Sequence, residues 1–206
     1  MFELKFVSPT VANGIFTAST GKESFPLPIC NLPGTDLYII GFDSMGRSKL
    51  ISLAAQALID EFGFQDVDFI VCPEAKAIPV AQELARILNI DYFVLRKAKK
   101  LYMADPQYIE VHSITTEGRQ LLWYDNAEAE NRLKGKNVML FDDVISTGSS
   151  FRALEDFAEK TNCAVTHKVA ILKEGDSHGR NDVESLGYLP LISAKELEEK
   201  FGEACK

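Results

Sequence analysis

The chain is poor in histidine, has no paired cysteines and is short of positive charge, and each shortage removes a class of function. Three histidines, His112, His167 and His178, occur in 206 residues without metal-ligand spacing, so they are expected to be structural or superficial. The four cysteines (Cys30, Cys72, Cys163 and Cys205) are scattered, with no CxxC pair. They read as reduced thiols, mostly core filler, and imply neither disulfides nor zinc. No run approaches the roughly 20 apolar residues of a membrane span, and no charged-then-apolar leader follows Met1, so a cytoplasmic protein without a membrane partner is expected. Lysine and arginine number 22 against 30 aspartates and glutamates, a formal charge of −8. That balance argues against nucleic acid as the main partner and leaves room for a local basic cluster that holds a small anion.

What is present is enough apolar residue, 46% of the chain, for one sizeable core and a single domain over residues 1–206 with appendages. The most informative stretch is Val138 to Ser150, VMLFDDVISTGSS. The apolar run Val138, Met139, Leu140 and Phe141 suits a strand buried on both faces of a parallel sheet, with Asp142 and Asp143 closing it. After Val144 and Ile145 come Ser146, Thr147, Gly148, Ser149 and Ser150, and then FRALEDFAEK, whose apolar spacing is helical. Small hydroxyl residues around a glycine at a helix start present N–H and O–H donors that can cradle a phosphate dianion. The two acids would repel that phosphate, so they are expected to face ribose hydroxyls or a metal. A ribose 5-phosphate has both ends. A plain strand-to-helix turn with hydroxyl capping and solvated acids is the alternative.

The rest of the chain alternates strand and helix signals. Residues 2–7 alternate and residues 14–18 are small and apolar, which predicts a pair of short strands. FPLPICNLPG crowds proline and glycine and is not expected to sustain regular structure. LYII at 37–40 predicts a strand, and LISLAAQALIDEF after it an amphipathic helix. Between them GFDSMGRS nearly matches a nucleotide-binding P-loop, but Arg47 stands where the lysine belongs, so a plain strand–turn–helix connection is the stronger reading. A strand is predicted at 67–72, a turn PEAK from Pro73 to Lys76, and a helix from Ile78 to Leu88; a turn so placed is a second anion site. A strand at 92–95 runs into Arg96, Lys97, Lys99 and Lys100, a cluster suited to a diphosphate, or else a solvated basic loop. Residues 101–125 predict a β-hairpin around Glu117-Gly118, and residues 126–136 a polar helix and turn. Strands are predicted at 164–172 and 187–192, with a final helix over AKELEEKF.

The stretch Val138 to Ser150 resembles, at every position, the phosphoribosyl-pyrophosphate signature of the type I phosphoribosyltransferases, and the resemblance spans residues 65–192. It implies that family's α/β fold: a central, mostly parallel sheet flanked by helices, a small hood from residues 1–35 and 173–206, and a mobile β-hairpin lid over 97–125. It implies phosphoribosyl pyrophosphate (PRPP) and a purine base as substrates, Mg²⁺ as cofactor, and a homodimer with the lid or pyrophosphate loop near the partner subunit. By that resemblance Ser146, Thr147, Gly148, Ser149 and Ser150 hold the 5-phosphate, and Asp142 and Asp143 hold the ribose diol, directly or through the metal. Glu74, Ala75 and Lys76 are similar to the E-A-R of adenine phosphoribosyltransferases, which implies a pyrophosphate loop with a non-proline cis peptide near Glu74–Ala75. R-K-A-K-K-L resembles their R-K-x-x-K-L and implies diphosphate contacts from Arg96, Lys97 and Lys100. S-I-T-T-E-G is similar to the S-x-x-x-E-x-G segment of the lid, one residue shorter, and implies a proton-handling role for Glu117.

The segment from Leu172 to Tyr188 is similar to the tail of bacterial xanthine phosphoribosyltransferases, which helps form the hood over the base. Glu174 stands where those enzymes carry a lysine. An ionised carboxylate accepts and cannot donate, so it suits an exocyclic amine, which favours adenine; Lys173, one position away, reverses that preference if the register shifts. The alternatives are a xanthine or hypoxanthine enzyme, or a non-catalytic regulatory protein that senses PRPP.

Overall fold

The computed structural model of the chain describes residues 2–5, 15–20, 23–111, 120–175 and 180–201. The chain begins with four strands, β1 (Phe2–Lys5), β2 (Ile15–Thr20), β3 (Glu23–Asn31) and β4 (Leu37–Ile40), each antiparallel to the next. Helix α1 (Ser48–Phe62) follows and stops where Gly63 takes a left-handed φ of 60° and its N–H donates to the Ile59 carbonyl. Then come β5 (Phe69–Pro73), α2 (Ile78–Leu88), β6 (Asp91–Leu95) and a hairpin, β7 (Pro106–Val111) with β8 (Gln120–Asp125). The chain continues through α3 (Asn126–Leu133), β9 (Asn137–Ile145), α4 (Ser149–Lys160), β10 (Ala164–Glu174), β11 (Glu184–Leu189), the two-residue β12 (Ile192–Ser193) and α5 (Ala194–Phe201). No helix among the described residues is long and apolar enough to cross a membrane.

The central sheet has the order β11-β10-β9-β5-β6, and every pairing in it is parallel. Its strands are buried on both faces, which explains their unbroken apolar runs: Val138, Met139, Leu140 and Phe141 are all fully buried. Alternation sorts their side chains into two cores. Ile70, Met139 and Phe141 pack on one face with Leu50, Ala54 and Leu58 of α1 and Val80, Ala81 and Leu84 of α2. Val71, Val138 and Leu140 pack on the other with Ala129 of α3, Phe151, Leu154 and Phe157 of α4, and Ile109, Val111, Leu122 and Tyr124 of the hairpin. The expected central parallel sheet between helices is therefore present. The two hairpin strands form part of this second core wall; the segment that joins them, with Glu117 and Gly118, lies outside the described residues.

Two sequence expectations need correction. Residues 23–31 form one nine-residue strand despite Pro26 and Pro28. The Pro28 carbonyl accepts from the Gly41 N–H at 2.7 Å, so that residue's backbone turns away from β2, and Pro26, two positions earlier, faces the same way. A proline nitrogen costs no sheet bond on an edge where no partner strand asks for a donor. The second correction concerns β9. Asp142 and Asp143 do not close it, because β10 continues to pair with it through Val144↔Leu172 and Ile145↔Lys173. β5 pairs with β9 only as far as Val71↔Leu140.

The antiparallel sheet has the order β1-β2-β3-β4-β12, so both ends of the chain meet in it. On the other side of the central sheet, Phe157 is the residue that joins three elements. Its ring stacks on Phe93 of β6 at 5.6 Å and meets Tyr124 of β8 edge-on at 4.9 Å. Replacing Phe157 by alanine is expected to cost about 3–5 kcal/mol, read from urea unfolding; a loss below about 1 kcal/mol would contradict this packing.

Candidate active site

Reading across the central sheet, the chain passes from β5 outward to β6 and then returns to place β9 on β5's other side. Such a reversal opens a crevice at the carboxyl ends of the two strands, where open α/β sheets take their ligands. The strands part after Val71↔Leu140, and the gap holds a cavity of about 410 Å³ lined by Glu74, Ala75, Lys76, Lys97, Asp142 and Asp143, with Val111, Gln120 and Leu122 from the hairpin.

Next to this cavity lies a smaller hollow of about 30 Å³, lined by Asp142 and by Val144 through Phe151. Gly148 there has φ +77°, a conformation that only glycine adopts without penalty, and it hands the chain to α4. The Thr147 and Ser149 hydroxyls lie 2.7 Å apart, and the first turn of α4 carries no acid. Free N–H groups, short hydroxyls and the positive end of a helix converge there, an arrangement that suits a phosphate.

Asp142 is buried and Asp143 partly so. Burial pushes the Asp142 carboxyl up, Asp143 adds to the rise, and only Lys97 and an N–H bond from Asp143 at 2.9 Å oppose it. Asp143 is also raised by burial, against the pull of its bond to Asp142 and of Lys76. Two hard carboxylate groups that burial leaves short of counter-charge fit a divalent cation that shares its oxygen ligands with a substrate. Among the described residues no group of three or more His, Cys, Asp or Glu side chains is placed to hold a metal alone.

The turn after β5 is fixed from three sides. The Glu74–Ala75 peptide is cis, as the resemblance implies. Glu74 donates its N–H to the Leu95 carbonyl at 2.8 Å, while its carboxylate accepts the Lys97 N–H at 2.8 Å and lies 3.7 Å from Arg96. Glu74 therefore anchors the basic loop. Arg96 is further held by exchanging backbone bonds of 2.7 and 2.6 Å with Trp123 of β8. Lys76 sends its ammonium to the Phe42 carbonyl at 3.3 Å, and its own carbonyl accepts from the buried Ser44 hydroxyl at 3.2 Å.

Of the residues singled out from the sequence, Glu74, Ala75, Lys76, Lys97, Asp142, Asp143 and Ser150 line the main cavity, and Ser146 to Ser150 line the hollow. Arg96 lines a separate cavity of about 340 Å³ with Tyr92, Tyr102 and Arg132. Lys100 and Glu174 stand outside the main lining, although the charge of Lys76 is felt at Glu174. Glu117 lies outside the described residues. The near P-loop segment brings its serine and a carbonyl to Lys76, and its preceding strand, β4, belongs to the antiparallel sheet rather than to a parallel nucleotide-binding unit. Ser44 had no sequence signal beyond its place in that segment.

One crevice of a doubly wound α/β sheet thus brings together a hydroxyl-rich hollow, an acid pair and a turn that carries Lys76. The family profile of the phosphoribosyl transferase domain matches residues 43–186, and the chain belongs to that family. A hypoxanthine/guanine phosphoribosyltransferase of Methanocella paludicola is 33% identical over 123 residues, 60% of this chain and 59% of that protein, so the chain spans less than two thirds of that relative. One of Methanothermococcus okinawensis is 31% identical over 143 residues, 69% of this chain and 72% of its own. Among solved structures, adenine phosphoribosyltransferase from Thermoanaerobacter pseudethanolicus superposes with a TM-score of 0.60 at 22% identity, covering 69% of this chain and 82% of that one. The enzyme from Saccharomyces cerevisiae, complexed with an imino-altritol bisphosphate and adenine, gives 0.60 at 21%, covering 78% and 92%.

The raised Asp142 carboxyl has a measurable sign. Its folded-state value exceeds the ordinary one, so the stability it contributes is complete at low pH and is lost as pH rises through the folded value. Asp142→Asn is therefore expected to melt higher than the wild type at about pH 7, by about 2–4 °C for each kcal/mol relieved, with the gap closing towards about pH 4. Thermal melts of the ligand-free proteins check this; a variant that melts lower at neutral pH would contradict it.

Proposed function

We propose that the protein transfers the 5-phosphoribosyl group of PRPP to a free purine base and releases pyrophosphate, in purine salvage. The observation that carries this reading is the meeting of three parts at one reversal of the sheet: the hollow at Ser146–Ser150, the acid pair Asp142 and Asp143, and the cationic turn at Lys76. Ser146 to Ser150 take the 5-phosphate through backbone and hydroxyl donors. Asp142 and Asp143 accept from the ribose diol and would hold a Mg²⁺ brought in with the substrate, which would supply counter-charge to the diphosphate. Lys76 and Lys97 face the leaving group, and Arg96 and Lys100 strengthen the field around them. Charge that grows on the diphosphate as its bond to the anomeric carbon breaks is met by groups already in place, which is the main source of rate. The hairpin residues Val111, Gln120 and Leu122 form the cavity wall that keeps water from an oxocarbenium-like carbon. Exposed Leu101 and Tyr102, beside the basic loop, support a homodimer.

For the base, adenine is the first reading: Glu174, half-buried near the charge of Lys76, accepts from an exocyclic amine, while the Lys173 ammonium is engaged by the Arg180 carbonyl at 2.9 Å. The second reading is hypoxanthine or guanine. It is favoured by the names of the archaeal relatives and by the burial that raises the Glu174 carboxyl, since a protonated acid donates to a 6-oxo group.

Pyrophosphate release with Mg²⁺ and PRPP, run separately with adenine, hypoxanthine, guanine, xanthine and orotate, is expected to give turnover with one class of purine. Binding of PRPP without turnover on any base would move the assignment to a sensor. The double variant Asp142→Asn with Asp143→Asn is expected to lose turnover by more than about a hundredfold with its fold retained by circular dichroism. Activity like the wild type's in that variant would overturn the assignment.

A further inference from the structure

Arg180 sits where the chain returns from β10 towards β11, and its guanidinium lies near Gly148 of the hollow. Its guanidinium forks onto Asp182, with Nε 2.8 Å from one carboxylate oxygen and Nη2 3.0 Å from the other, and Nη2 also donates to Glu155 of α4 at 2.6 Å. Lys168 of β10 closes the ring, 2.7 Å from Glu155 and 2.9 Å from Asp182. The guanidinium carbon lies 5.9 Å from the centre of the Phe151 ring, in the first turn of α4. The Arg180 carbonyl is held by Lys173, so backbone and side chain are both fixed.

This ring comes nearest the hollow at Gly148. A Cβ built on Gly148 would lie 3.5 Å from Arg180 Nη1, so the guanidinium stands beside the Gly148 turn without itself lining the hollow. Two cations and two carboxylates cancel, so the ring adds little net field; its effect is positional. A bidentate, closed network of this kind differs from a single surface ion pair, whose geometry is loose and whose worth is small. Asp182 is accordingly held far below the usual carboxylate range by Arg180 and Lys168.

We propose that Arg180 is a positioning residue for the 5-phosphate: clamped by Glu155 and Asp182, it buttresses Gly148 and holds the Ser146–Ser150 turn open in the shape that a phosphate monoester on a sugar requires. The proposal rests on the phosphoribosyl reading and adds a residue from the tail to it. It separates the two anion sites, because Arg180 stands beside Gly148 and is not among the residues that line the cavity at Glu74–Lys76.

The test is binding of three probes by calorimetry: ribose 5-phosphate, PRPP with Mg²⁺, and inorganic pyrophosphate with Mg²⁺. Arg180→Gln is expected to weaken ribose 5-phosphate and PRPP by about tenfold and to leave pyrophosphate within about twofold. Arg180→Lys, which keeps the charge and loses the fork, is expected to restore less than half of the loss. Unchanged ribose 5-phosphate binding, or equal weakening of all three probes, would overturn the proposal; equal weakening is what a general loss of structure produces. Should Arg180→Gln fail to fold, Glu155→Gln removes one arm of the clamp and is expected to show a smaller weakening confined to the same two probes. Wild-type protein that binds neither ribose 5-phosphate nor PRPP would sink the phosphoribosyl reading itself, an outcome distinct from wild-type binding that Arg180→Gln leaves intact.

Discussion

The parting of β5 and β9 beyond the Val71↔Leu140 pair is the constraint on which the rest of the structure depends. Two strands that share a sheet must diverge when the chain leaves one outward to β6 and comes back on the other side. The backbone groups freed by that divergence end in the two turns that carry the site. The apolar halves of the strands, sealed by α1 and α2 on one face and by α3, α4 and the hairpin on the other, keep the polar halves from collapsing into the gap.

Charge is placed against this gap with care for a protein whose total is −8. Asp142 and Asp143 line the cavity, and burial raises both carboxyls, so ionising them there carries a standing cost. Other acids hold cations in position: Glu74, at the cavity wall, takes the Lys97 backbone N–H and stands near Arg96, and Glu155 with Asp182 takes Arg180 and Lys168. The two roles are opposite. Glu74, Glu155 and Asp182 orient cations and an N–H group.

Much of this was legible in the sequence because it is local. The apolar run before Asp142, the hydroxyl-rich turn after it, and the spacing of α1, α2, α4 and α5 follow from periods of two and three to four residues that neighbours alone determine. What escaped detection depends on partners far along the chain. β3 runs through two prolines because its unpaired edge there asks for no donor, and β9 outlasts its acids because β10 continues to pair with it. The tie between Ser44 and Lys76, and the ring that joins Lys168, Glu155, Arg180 and Asp182, bring together residues whose local surroundings look like solvated surface. The surroundings of Glu174 and Lys173 are the least legible feature, since the burial that raises the Glu174 carboxyl and the bond from Lys173 to the Arg180 carbonyl exist only in the folded chain.

The sheet that unites β1 to β4 with β12 has a consequence for how the molecule is made. Its last strand, two residues long, emerges from the ribosome after every strand of the central sheet, yet pairs with β4 near the beginning, through Ile192↔Tyr38 and Ser193↔Leu37. Until that pairing forms, β4 presents a bare edge of N–H and C=O groups. β12 follows β11, the last strand of the central sheet, after only two residues, so the covering of that edge is tied to completion of the parallel core rather than to any earlier step.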